Sequence, residues 1–141
     1  MTAFDLTGKV AVITGGNGGI GLGMAEGLVE AGCAVHIWGR NPEKNQQALQ
    51  QLRAKKGGRA EALAVDVGDR QAIEAAFGKT LDLFGRVDGC FANAGVGGGG
   101  RRSFLDRTQD DWHKLMATNL DGAVMTLQVA GRHMEIGRAH V

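Results

Sequence analysis

Thr14-Gly15-Gly16-Asn17-Gly18-Gly19-Ile20-Gly21 stands between an apolar run, Val10 to Thr14, and a stretch with helical spacing. A turn so placed points the free N–H groups and the positive dipole end of a helix at an anion. One glycine shapes the turn, one lets the backbone approach a ligand, and one lets helix and strand pack closely. The ligand implied is the pyrophosphate of a dinucleotide, with Gly15, Asn17, Gly19, Ile20 and Gly21 as candidate contacts. A second feature lies at the end of the next apolar run, Trp38-Gly39-Arg40-Asn41. An acid at that place would accept hydrogen bonds from both ribose hydroxyls and repel a 2′-phosphate. No acid is present; Gly39 clears space and Arg40 offers a guanidinium to a phosphate. The four histidines show no ligand spacing, so no metal site is expected.

These residues need elements to position them, and the chain alternates strand and helix patterns. Val10–Thr14, Cys33–Trp38, Glu61–Val65 and Val87–Ala92 read as short buried strands. Between them come helical stretches. The first carries Ile20, Met24 and Leu28 on an apolar face, with Ala25 and Val29 beside it, and stops at Gly32. The second opens at Asn41-Pro42-Glu43 and is polar. The third is capped by Asp69, runs through Ile73, Phe77, Leu81 and Phe84, and closes at Gly85. The fourth opens on the capping-box variant Thr108 to Asp111, and the spacing predicts one long helix with Trp112, Met116, Leu120, Val124 and Leu127 on one face. Trp112 is expected in the core or an interface. Strands alternating with helices of this length make a parallel sheet. Gly78-Lys79-Thr80 lacks the first glycine of a P-loop and falls inside a predicted helix, so it is read as chance.

Further residues carry a family likeness. Asn93-Ala94-Gly95 ends the fourth strand, Asp66-Val67 follows the third, and Asn119-Leu120-Asp121-Gly122 lies in the long helix. With the glycine turn, these motifs keep one order and placement, and together they resemble the classical short-chain dehydrogenases/reductases. The glycines alone also fit the extended relatives that include sugar-nucleotide epimerases; the Asn-Ala-Gly motif favours the classical branch. The resemblance implies a Rossmann-type doubly wound parallel sheet, α/β in class, of which this chain holds the first four βα units. It implies an adenine contact at Asp66 and Val67, cofactor contacts at Asn93, Ala94 and Gly95, and a catalytic role for Asn119. Arg40 resembles the NADP-preferring pattern, so NADP is expected ahead of NAD. The reaction implied is reversible hydride transfer between NADP(H) and a small-molecule alcohol/carbonyl substrate. A methyltransferase would want an acid where Gly39-Arg40 stands.

The chain of 141 residues is one domain's worth of material, with 43% apolar and 22% charged residues and a net charge of +1. That balance gives no argument for nucleic acid or an anionic membrane as partner. Cys33 and Cys90 lie far apart in apolar surroundings and read as reduced core residues of a cytoplasmic protein. The family's Tyr-x-x-x-Lys motif is absent, because there is no tyrosine, and Ser103, the only serine, does not match the catalytic serine. Residues 1–134 are read as an incomplete NAD(P)-binding domain. Residues 135–141 match the translation of a sequencing adapter and are read as a non-native read-through tail. The expectation is the cofactor-binding half of a longer, homo-oligomeric enzyme, inactive by itself; the alternative is a non-catalytic nucleotide-binding module. Strand four would be left as an open edge.

Overall fold

The computed structural model describes residues 4–97 and 103–138, with side chains to residue 135. Part of the glycine run 97–100 and the pair Arg101 and Arg102 lie outside the described residues, as does the chain end from 139. Four parallel strands form one sheet in the order β3-β2-β1-β4. They are β1 (Val10–Thr14), β2 (Ala34–Gly39), β3 (Ala60–Ala64) and β4 (Gly89–Ala92). Helices α1 (Gly19–Glu30) and α2 (Pro42–Arg53) cover one face, where Ala25, Val29, Leu49 and Leu52 pack on Ala11, Ile13, Val35 and Ile37. Helices α3 (Arg70–Phe84) and α5 (Gly122–Arg138) cover the other, where Ile73, Phe77 and Ala130 pack with Val12 and Trp38. This is the doubly wound α/β sheet expected, and its order reverses between β1 and β4.

The helix ends follow the predicted chemistry. Asn41 accepts from the Lys44 N–H, Asp69 accepts from the N–H groups of Gln71 and Ala72, and Thr108 and Asp111 close a reciprocal capping box. Gly85 ends α3 with a φ of +76°. Strand limits shift by a residue or two. Cys33 drops out of β2 because its N–H is spent on the carbonyl of Leu28, closing the end of α1. β4 starts at Gly89; Val87 before it is still buried among the α3 residues.

Two helix faces differ from the periodicity. In α1 the buried stripe is Gly21, Ala25 and Val29, whereas Ile20 is 75% exposed and Met24 is on the outer side. A Cβ at Gly21 would collide with the Gly15 carbonyl, so the helix lies too close to the turn for a large inward side chain. The predicted long helix is interrupted: α4 (Gln109–Met116) passes into a π-helical turn, Ala117–Asp121, before α5. The extra residue of a π turn rotates the following face. Gly122, Thr126 and Ala130 face inward, while Leu120, Val124 and Leu127 are about half exposed. A Cβ at Gly122 would lie 2.8 Å from the Val67 carbonyl oxygen, so again the close approach demands small residues. Trp112 is exposed on α4 and is not a core residue of this chain. α5 stays helical through Arg138, so the backbone of 135–138 continues the helix. Gly78-Lys79-Thr80 lies within α3.

Candidate functional site

The C-terminal ends of β1, β2 and β4 open into a cleft of about 280 Å³. Gly15, Asn17, Gly39 and Arg40 form one wall, and Val67, Ala94, Gly95 and Thr118 another. In an open parallel sheet this crevice, at the reversal of strand order, is where ligands bind. Each wall has an identifiable cause in the sequence.

The glycine turn is held from both sides. Gly15 adopts a φ of +66° and donates its N–H to the Trp38 carbonyl at 2.7 Å. A Cβ there would sit 3.0 Å from the Ala94 Cα, so only glycine combines this conformation with this packing. Asn93 reaches back across the sheet, and its Nδ2 donates to the carbonyls of Thr14 (3.1 Å) and Gly15 (3.4 Å). The Thr14 hydroxyl accepts from the Ala94 N–H at 2.9 Å. The ends of β1 and β4 are thereby locked together around the turn. Gly18 precedes α1 without supplying a side-chain cap, and a Cβ at Gly18 or Gly19 would meet nothing within 4 Å. The start of α1 is thus open, with first-turn N–H groups that an anion can take.

The predicted contacts are not all placed alike. Gly15, Asn17, Arg40, Val67, Ala94 and Gly95 line the cleft. Asn93 and Gly21 stand behind its wall; a Cβ at Gly21 would come within 2.5 Å of the Asn93 Nδ2. Gly19 opens α1, and Ile20 points outward and does not line the cleft. Asp66 lies between the lining residues Val65 and Val67, but its Oδ1 accepts from the Gly68 N–H at 2.9 Å and so also caps the turn before α3. Asn119 sits in the π turn and pairs with the backbone of the loop after β4. Its Oδ1 accepts from the Val96 N–H at 2.7 Å, and its Nδ2 donates to the Val96 carbonyl at 3.0 Å. Both backbone groups of Val96 are matched by one amide, fixing the loop to the helix break.

Sequence reasoning missed several contributors, among them Val65 and Thr118, which line the cleft. Lys44 brings a second cation to the Arg40 wall, at helical spacing from it. Val96 is the partner of Asn119. Asn45 is a buried amide in a helix whose polar composition hides it. Gly39 also has a different reason from the one expected: a Cβ there would lie 2.6 Å from the Asn45 Oδ1 and would overlap the Asn17 amide. It makes room for a protein contact. Beneath the cleft, Trp38 is buried and its Nε1 has no hydrogen-bond partner among the described residues. Burial pushes the Cys33 and Cys90 thiols up to about 11, the Asp88 charge adding to the effect at Cys33, so both are protonated at neutral pH. Among the described residues no group of His, Cys, Asp and Glu could hold a metal ion, and no helix is long and apolar enough to cross a membrane.

The short chain dehydrogenase family model matches residues 9–140. The chain belongs to the short-chain dehydrogenase family. It is 39% identical to sorbose reductase sou1 of Schizosaccharomyces pombe over 134 residues, covering 94% of this chain and 52% of that protein. It is 34% identical to an NADP-dependent (R)-specific alcohol dehydrogenase of Lentilactobacillus kefiri, covering 92% of this chain and 50% of that protein. The fold superimposes on an NAD+-bound xylitol dehydrogenase with a TM-score of 0.85 at 32% identity, over 94% of this chain and 50% of that one. The chain spans about half the length of the curated relatives it matches.

Proposed function

We propose that this chain is the cofactor-binding half of an oxidoreductase that moves a hydride between NADP(H) and a small-molecule alcohol or carbonyl compound. The observation that carries the reading is the cleft itself. Gly15, where a Cβ would be crowded, and Asn17 line it together with two cations at the β2 end, Arg40 and Lys44, and the same glycine turn leads into the uncapped N-terminus of α1. The first-turn N–H groups of α1 would hold the pyrophosphate, and Gly15, lining the cleft, would let it approach the turn. Val65 and Val67 offer an apolar wall to the adenine. Arg40 and Lys44 would meet a 2′-phosphate, which favours NADP over NAD. A nicotinamide bound there supplies the hydride chemistry, and Asn119 with Val96 fixes the loop on the side where substrate would approach. The relatives named above include both an NADP-dependent and an NAD+-bound enzyme. The unpaired Cys33 and Cys90 accord with a cytoplasmic setting, and the exposed Trp112, Leu120 and Val124 accord with self-association of the longer protein.

Calorimetric titration of the chain with NADP+ and NAD+ tests the reading. NADP+ is expected to bind about tenfold more tightly. Arg40→Ala should weaken NADP+ binding about tenfold and NAD+ binding less than twofold, the loss of one charge-assisted contact. Failure to bind either dinucleotide overturns the proposal. With no tyrosine in its sequence, the chain should not oxidise NADPH with any carbonyl compound above a no-protein blank. That same absence favours a second reading, a nucleotide-binding module without catalysis. The two separate when the source DNA is read onward from the codon of Met134. A following strand with serine and a Tyr-x-x-x-Lys helix supports the enzyme, and a genomic stop after Val141 supports the module.

A further inference from the structure

Asn45 lies on α2 and is 3% exposed. A buried amide needs its donors and acceptor matched. Its Nδ2 donates to the Gly39 carbonyl at 2.9 Å and to the Leu63 carbonyl at 3.1 Å, tying the ends of β2 and β3 together. Both N–H bonds are then spent, and the Asn45 Oδ1 accepts from the Asn17 Nδ2 at 2.8 Å. Turning Asn45 over would set its oxygen against two carbonyl oxygens, so its orientation is fixed by the strands. That orientation passes to Asn17, which must give its nitrogen to Asn45. The same nitrogen is packed against Gly39, where a Cβ would overlap it. The Asn17 Oδ1 is left without a protein hydrogen bond among the described residues, on a side chain that lines the cleft next to Gly39 and Arg40.

We propose that Asn45 is a positioning residue for cofactor selectivity: acting through Asn17, it presents an acceptor oxygen to the ribose end of the cleft. The inference rests on the cofactor reading above. An acceptor there takes a hydrogen bond from a free ribose hydroxyl and opposes a 2′-phosphate, which at neutral pH has only acceptor oxygens to offer. Arg40 and the Asn17 oxygen therefore pull in opposite directions. The first draws NADP, and the second retains binding of NAD. The sheet ends decide the balance through a residue that touches neither cofactor.

The test is the ratio of NADP+ to NAD+ affinity, measured by calorimetry on the unsubstituted chain and on Asn17→Ala, Asn45→Ala and the double variant. Asn17→Ala leaves the Asn45 bonds to both strands in place. It is expected to weaken NAD+ binding about five- to tenfold with NADP+ within twofold, the worth of one hydrogen bond. Asn45→Ala frees the Asn17 amide to turn and should shift the ratio the same way. The double variant should shift it no further, because both changes remove one device. If Asn45→Ala does not fold, Asn17→Ala carries the test alone. A merely structural Asn45 would lower both affinities by one factor, and an unchanged ratio in the folded variants overturns this inference while the cofactor reading stands. Absence of dinucleotide binding in the unsubstituted chain removes both.

Discussion

Every residue of β1 and β2 is buried, whereas no residue of β4 is. β1 and β2 each have a neighbour strand on both sides and helices on both faces; among the described residues β4 pairs with β1 alone. Around the first pair, side chains such as Ile13, Ile37 and Leu52 are sealed. Near β4, Phe91 and the outer residues of α4 and α5 remain open to solvent. The parts of the cleft built on β1 and β2 therefore rest on a finished core. Those built on β4 rest on polar cross-links: Asn93 to the turn, Thr14 to Ala94, and Asn119 to Val96. Where apolar packing is missing, directed hydrogen bonds hold the wall.

That contrast can be broken most severely at Gly21→Val. The new side chain would strike the Gly15 carbonyl and the Asn93 amide, where the two regions meet at the turn. Overpacking against backbone costs about 1–3 kcal/mol or more. Loss of dinucleotide binding by at least about a hundredfold is expected, or loss of the cooperative melt, read by calorimetry and circular dichroism.

The finished region has an acid weakness of its own. Burial between the sheet and α3 lowers the His36 pKa from 6.5 to about 4, and its Nδ1 lies 2.7 Å from the Thr80 hydroxyl. The unfolded chain takes up the proton first as pH falls. Stability is thus complete above about pH 6.5 and declines toward pH 4, by about 3 kcal/mol in all. His36→Val should flatten that slope in denaturant titrations at pH 7, 6, 5 and 4; an unaltered slope would place the acid sensitivity elsewhere.

On the β4 side, Asn119→Ala removes both partners of Val96 at once. Because the site is exposed, water replaces much of the loss, and about 1 kcal/mol of destabilisation is expected. Hydrogen exchange should show faster exchange at the Val96 amide while those of β1 stay protected. The smallest effect belongs to Leu127→Lys. Leu127 is half exposed, so the melting free energy should move by less than about 0.5 kcal/mol. A larger loss would mean that the outer face of α5 is covered in solution.

Residue types and spacing were enough for the strand–helix order, the caps at Asn41, Asp69 and Thr108, the αL glycine at position 85 and the place of the glycine turn. These are local: each follows from one residue's backbone preference or from hydrogen bonds within a few positions. The cleft was legible in part, since Gly15, Asn17, Arg40, Val67, Ala94 and Gly95 do line it. The inward faces of α1 and α5 could not be read from periodicity. Apolar spacing selects the stripe with the largest side chains, but both helices press on backbone at Gly21 and Gly122. Proximity admits only small residues there, and Ile20, Leu120 and Val124 are turned outward. The break in the predicted long helix has the same origin, since it brings Asn119 to Val96 and Gly122 to Val67 together. Nor could the polar pattern of α2 reveal Asn45 as buried. Its partners are the carbonyls of Gly39 and Leu63 and the amide of Asn17, which only the folded sheet brings to one point. What a residue can do was written in its type; which neighbours it does it with was decided by how closely the layers approach.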